Sequence, residues 1–287
     1  MRFVSFEQNG EATLGVRDGD QVRVIGNESL ESLLARGADL AALVPSSSNG
    51  ETVAAEGLKF LPPLQRPPKI ICVGLNFSDH TSESKYEQPD YPTLFFRVHT
   101  SLIAHEQPMV RPSVADSEGL DFEGEIAVIL GKSGRHIAKE DALSYVAGYS
   151  LFNDGSVREY QFKTPQWTVG KNFDGTGAFG PDLVTVDELP PGVKGLRLET
   201  RLNGEVVQSA STDEMVFDVE SLISIISEAI TLEPGDVIVS GTPSGIGWAR
   251  TPKLFMRSGD VCEVSVEKIG MLRNTIVDEA PLKRPAA

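Results

Sequence analysis

The stretch LDFEGEIAVIL, residues 120–130, constrains this chain more than any other. From Ile126 onward it is apolar and rich in β-branched residues, the pattern of a buried strand. Yet Glu123 and Glu125 stand two apart at its start. Strand side chains alternate faces, so residues two apart share a face, roughly 6.5 Å apart along the chain. Each carboxylate is costly to desolvate alone, and the pair repels itself besides. The strand therefore needs a partner that the stretch does not contain, unless the pair lies at an exposed strand end or against Arg or Lys. Spacing alone leaves these alternatives open.

The chain has 287 residues, 40% of them hydrophobic, with 18 Pro and 27 Gly, which describes a turn-rich globular protein with a sizeable core. No run approaches the ~18 apolar residues of a membrane span, and MRFVSFEQNG has no signal-peptide apolar region. A cytoplasmic protein with no membrane partner is expected. Cys72 and Cys262 both sit in apolar, strand-like contexts and read as buried reduced thiols. The formal net charge of −15 argues against nucleic acid as a partner. It would also repel anionic metabolites unless a local cation or an Arg/Lys cluster inverts the field.

Residues 3–25 alternate like a small antiparallel sheet, with N-G and D-G-D turn signals. NESLESLLARGADLAALV then reads as a short helix capped by Asn27 or Ser29. The proline-rich LPPLQRPPK, residues 61–69, cannot be helix interior. It marks a boundary between a small N-terminal α+β domain, 1–66, and a larger domain, 67–287. Beyond it strands dominate: IICVGL, TLFFRV, EIAVIL, YVAGYSLF, LRLETRLNGEVVQSAS, DVIVSG and VCEVSVEKIGMLRNTIV. Residues 218–231 form the one long helical pattern, apolar at 219, 222, 223, 226 and 230. The class expected is β-rich α+β.

No H-E-x-x-H, C-x-x-C, G-x-x-x-x-G-K-[ST] or G-x-S-x-G occurs, so zinc, a phosphate loop and an activated serine lack support. Carboxylates remain. YSLFNDGSVREYQF runs an apolar strand into Asn153 and Asp154. If 154–162 is helical, Asp154, Arg158 and Gln161 share one face. An acid at the end of that strand could be the third ligand beside Glu123 and Glu125. Three carboxylates suit Mg²⁺ or Mn²⁺, hard cations that take oxygen ligands.

In this order, VGLNFSDH, EGEIAVILGK, AGYSLFNDGSVREYQ, GKNFDGTGAFGP and SGTPSGIG resemble the fumarylacetoacetate hydrolase family over roughly residues 67–280. The resemblance implies a mixed β-sandwich or β-roll catalytic domain, usually a homodimer, that uses a divalent cation to bind a small anionic oxo acid. It maps the metal ligands onto Glu123, Glu125 and Asp154. It also gives Lys171 and Thr242 substrate contacts, and makes His80 and Glu83 a catalytic pair on a lid, residues 80–93. Two positions depart from the family pattern. Leu75 stands where relatives often have Arg, and Arg97-Val98 stands where they have Lys-Pro. With Arg158 and Gln161, Arg97 is expected to bind substrate, at its distal part.

The reading is a Mg²⁺- or Mn²⁺-dependent hydrolase that cleaves a C–C bond in a 2,4-dioxo acid of the acylpyruvate, fumarylpyruvate or diketo sugar acid type. Lys171 would reinforce enolate stabilisation, and His80, oriented by Glu83, would activate water. Oxaloacetate decarboxylation or hydroxymuconate-type isomerisation on the same site is the first rival. A non-catalytic oxo-acid or metal binding protein is the second.

Overall fold

The computed structural model describes residues 1–43, 50–78, 90–114 and 119–280. The N-terminal meander consists of β1 (Arg2–Gln8), β2 (Glu11–Asp18) and β3 (Gln21–Gly26), paired antiparallel. Asn9 (φ 54) and Gly10 (φ 83) take the left-handed backbone that a tight hairpin turn demands. β4 (Thr52–Ala54) extends β3, and β5 (Lys59–Leu61) pairs with β1. The expected helix is shorter than its pattern. α1 (Leu30–Ala35) starts at Ser29, whose hydroxyl accepts from the Ser32 N–H, and buries Leu30, Leu33 and Leu34. Gly37, at φ 68, stops it, and a separate 3-10 turn follows at Leu40–Leu43.

Next come β6 (Ile70–Gly74), β7 (Thr93–Arg97), β8 (Leu102–Ile103), β9 (Met109–Arg111), β10 (Leu120–Asp121), β11 (Gly124–Leu130), β12 (Val146–Asp154), β13 (Ser156–Val157) and β14 (Gly177–Thr185). Then follow β15 (Arg197–Leu202), β16 (Glu205–Ser211), β17 (Val237–Val239), β18 (Val261–Val266) and β19 (Gly270–Asp278). Among the described residues, twelve strands join one sheet whose main order is β4-β3-β2-β1-β14-β12-β11-β17-β6-β7. The proline-rich segment does not interrupt it, because β1 pairs directly with β14. A second sheet, β16-β15-β18-β19-β9, packs against the first. These two sheets with few helices are the β-rich, mixed-sheet α+β fold.

β14 lay outside the expected strands, because GAFGPDLVT carries Gly and Pro where a strand interior disfavours both. Pro181 is tolerated at an irregular point: the β12–β14 register shifts between Tyr149 and Leu151, opposite it. α2 (Arg158–Gln161) is a single turn, and α3 (Val219–Ala229) is capped by Asp218, which accepts from the Ser221 N–H. α3 buries Val219, Leu222, Ile223 and Ile226, the face its spacing predicts. No helix among the described residues is long and apolar enough to cross a membrane.

β11 is buried on both faces, which is why its run is almost continuously apolar. Ile126, Val128 and Leu130 join the core shared with the second sheet and α3. Ala127 and Ile129 join the opposite core, with Phe152, Phe179, Val237 and the α1 leucines. The face carrying Ala127 and Ile129 is also the face of Glu123 and Glu125.

Candidate active site

Strand register assembles the carboxylates. Gly124 pairs with Asn153 across β11 and β12, and the Asp154 N–H donates to the Glu123 carbonyl at 2.8 Å. Asp154 therefore stands opposite Glu123, with Glu125 two residues along the same face. Ligand oxygens of all three lie within 4.8 Å of one another, and all three residues are buried. The residue between the glutamates has to be glycine. Its other face meets the second sheet, where a β-carbon would lie 2.0 Å from Thr200 Oγ1.

Three cations are packed around the cluster. Lys171 ends the 3-10 turn Trp167–Lys171, and its Nζ donates to Glu123 Oε2 at 2.5 Å and Asp154 Oδ2 at 2.6 Å. Arg158 Nη1 lies 2.7 Å from Glu123 Oε1 and donates to Gln161 Oε1 at 2.7 Å. Arg97, at the end of β7, donates from Nη1 to Asp154 Oδ1 at 2.5 Å and from Nη2 to Thr176 Oγ1 at 2.9 Å. Glu125 differs. Its Oε2 accepts from the Gly241 N–H at 2.5 Å, and among the described residues no Lys or Arg forms a salt bridge with it.

Asp121 is a further site residue that the sequence reading missed. It is fully buried and accepts from Arg158 Nε at 2.9 Å and from the backbone N–H groups of Gly247 and Trp248 at 2.8 and 2.9 Å. The signal was present: Asp121 extends the two-residue alternation of Glu123 and Glu125 by one step. The backbone of GTPSGIGW thus anchors two acids of the cluster through N–H groups.

Burial, and then the charges of Asp154 and Glu123, push the Glu125 carboxyl well above the usual range. Burial alone would lower the Lys171 ammonium, but Asp154 and Glu123 outweigh it and hold its pKa above the ordinary value. Burial raises Asp121, and Arg158 opposes that rise without cancelling it. Asp121, Glu123, Glu125 and Asp154 face Arg97, Arg158 and Lys171, four carboxylates against three cations. A hard divalent cation fits this oxygen donor set and reverses the sign of the excess charge.

Glu123, Glu125, Arg158, Gln161, Lys171 and Thr242 line one cavity, whose remaining wall is largely apolar. Thr242 Oγ1 also donates to the Gly124 carbonyl at 3.0 Å. Two expectations are corrected. Asp154 ends β12, as an acid at the end of that strand should, but the helix considered over 154–162 is only the turn Arg158–Gln161, because Asp154 is still paired with β14 at Gly177. Arg97 does not line the cavity: its side chain is fully buried against Asp154, Gly155 and Thr176, so it supports a carboxylate instead of meeting the substrate's distal part. His80 and Glu83, with most of the expected lid, lie outside the described residues.

The family model described as Fumarylacetoacetate (FAA) hydrolase C-terminal matches residues 69–277. The rat mitochondrial oxaloacetate tautomerase Fahd2a is 40% identical over 219 residues, covering 76% of this chain and 69% of the relative. A fumarylacetoacetate hydrolase from Exiguobacterium antarcticum superposes with a TM-score of 0.85 at 35% identity, covering 97% of this chain and all of that one. A 5-carboxymethyl-2-hydroxymuconate delta-isomerase from Mycobacterium smegmatis gives 0.78 at 27% identity, again over 97% of this chain and all of that one. Tautomerase, hydrolase and isomerase are different reactions carried by one kind of protein. The matched profile, the shared fold and the buried acid cluster together make this chain a member of the fumarylacetoacetate hydrolase family.

Proposed function

We propose that this chain is a divalent-metal-dependent enzyme that stabilises the enolate of a 2-oxo acid and uses it to hydrolyse a C–C bond in a 2,4-dioxo acid. The observation that carries this reading is the buried triad of Glu123, Glu125 and Asp154, with Lys171 beside it in the wall of a cavity. Mg²⁺ or Mn²⁺ held by the three carboxylates would supply Lewis-acid polarisation and charge neutralisation for an enolate. The protein's own groups do the rest. Lys171 keeps its proton because Asp154 and Glu123 hold its pKa up, so it can donate a charge-assisted hydrogen bond to a substrate oxygen. Arg158, held between Asp121 and Gln161, fixes the orientation of Glu123. In this reading His80, oriented by Glu83, takes a proton from the water that attacks the distal carbonyl. The C–C bond then breaks towards the pyruvate enolate, which is protonated to pyruvate while the acyl group leaves as a carboxylate.

The likeness to an oxaloacetate tautomerase favours a second reading, keto–enol interconversion of a 2-oxo acid. That reaction needs the same enolate stabilisation but no attacking water. Acetylpyruvate incubated with Mg²⁺-loaded protein separates the two. Hydrolysis releases one pyruvate per substrate consumed, and release stops with EDTA or in Glu123→Ala. A change of enol absorbance without pyruvate would transfer the assignment to the tautomerase reading. No reaction of acylpyruvates or oxaloacetate would overturn both.

A further inference from the structure

We infer that the cavity selects 2-oxo acids whose distal arm is uncharged and aromatic or alkyl, and disfavours those ending in a second carboxylate. This rests on the proposed binding of the oxo-acid head at the triad, but it draws on different residues. Away from the carboxylates the wall is built from Leu75, Phe95, Phe162, Trp167, Ile246 and Trp248. Two aromatic contacts stand in that wall: Phe162 and Trp248 with ring centroids 5.1 Å apart, and Phe95 and Trp167 at 5.8 Å. Leu75 is held with φ at 58, a left-handed backbone that costs a branched side chain energy, so an apolar group is kept there at some strain.

Charge points the same way. Among the described residues the cations lining the cavity are Arg158 and Lys171, and both are already bound to carboxylates of the cluster. Lys253 lies with its ammonium 5.4 Å above the Trp248 ring, outside the lining. A second carboxylate entering this wall would lose water without gaining a described cationic partner, whereas an aryl or alkyl arm would bury apolar surface against aromatic faces.

Titration calorimetry on the Mg²⁺-loaded protein tests this without relying on turnover. The probes are pyruvate, phenylpyruvate and 2-oxoglutarate, which share one head and differ in the arm. Phenylpyruvate should bind at least ~10-fold more tightly than pyruvate, the scale of discrimination that an apolar pocket gives, and 2-oxoglutarate no more tightly than pyruvate. Trp248→Ala should narrow the phenylpyruvate-to-pyruvate ratio. Phe162 is 41% exposed, so Phe162→Lys should fold, and it should favour 2-oxoglutarate over phenylpyruvate. Wild-type protein that binds 2-oxoglutarate as tightly as phenylpyruvate would overturn the inference, as would phenylpyruvate no tighter than pyruvate. If phenylpyruvate ranks first and no acylpyruvate is cleaved, the inference stands and the hydrolase reading fails. If acylpyruvates are cleaved and a dicarboxylic one is preferred over an aryl one, the hydrolase reading stands and the inference fails.

Discussion

The two ends of one strand face show what burial can do in opposite senses. Glu123 and Glu125 begin the face, and Ala127 and Ile129 continue it; all four are buried. At the apolar end burial is the stabilising force, worth ~1.5–3 kcal/mol for a side chain the size of isoleucine. At the charged end the same removal from water opposes folding, and the cations around the cluster offset it only in part. Glu125, without a salt bridge among the described residues, shows this most clearly. The apolar end holds the sheets together, and the charged end, where metal binding is proposed, is carried by them.

The largest expected effect tests the charged end. Glu125→Gln should weaken Mg²⁺ binding by more than ~100-fold, beyond what loss of a supporting group costs. The amide oxygen can still accept from the Gly241 N–H and the like-charge repulsion is gone, so the metal-free protein should melt no lower than wild type. Calorimetric titration and thermal melts in EDTA measure both. A lower melting temperature for metal-free Glu125→Gln would end the claim that this charge opposes folding.

Ile129→Ala probes the other end and should show the reverse. A loss of about 2–5 kcal/mol in stability is expected for truncating a buried isoleucine, with Mg²⁺ affinity of the folded protein nearly unchanged. Urea unfolding beside metal titration gives the two numbers, and a joint loss would mean that the ends are coupled.

Arg97→Lys sharpens the comparison by leaving a cation but removing the fork that ties Asp154 to Thr176. Metal affinity should fall roughly 10–100-fold, the usual cost of disturbing a group that orients a ligand. The order of preference among the three oxo-acid probes should stay the same. A change confined to 2-oxoglutarate would return Arg97 to the substrate.

The smallest effect concerns a titratable group buried without a role at the site. His105 packs edge-on against Phe60, its Nδ1 accepts from the Arg273 N–H, and burial holds its pKa at about 4 despite Glu106 nearby. The unfolded chain, with a His pKa near 6.5, takes up the proton first as pH falls. Stability should therefore decline from about pH 6.5 towards 4 and the loss should level off below. Between pH 7 and 5 the decline should be on the order of 1–2 kcal/mol. His105→Asn, which can still accept the Arg273 N–H, should decline less over that interval. Parallel slopes for the two proteins would assign the loss to other groups.

Much of the site was legible because β alternation is local. The E-x-E spacing put Glu123 and Glu125 on one face, and Asp154, the acid at the end of the apolar strand through YSLF, stood out as the candidate third member. α3 was legible for the same reason, its apolar spacing being a property of helix geometry. The N-terminal meander followed from alternation and turn residues. Family resemblance, not spacing, pointed to Lys171, which reaches Glu123 across 48 residues.

Other features depended on which segments meet. β14 is concealed by its Gly and Pro, and only its place between β1 and β12 makes it a strand. Arg97 was expected at the substrate because it stands where family relatives have Lys-Pro, and the motif does not reveal where its guanidinium ends; Asp121 gained meaning only beside Arg158. The sequence by itself determined the faces, since covalent geometry repeats every two residues in a strand and every 3.6 in a helix. The tertiary structure decided the partners, because register and ion pairing between distant segments depend on packing and desolvation across the whole fold.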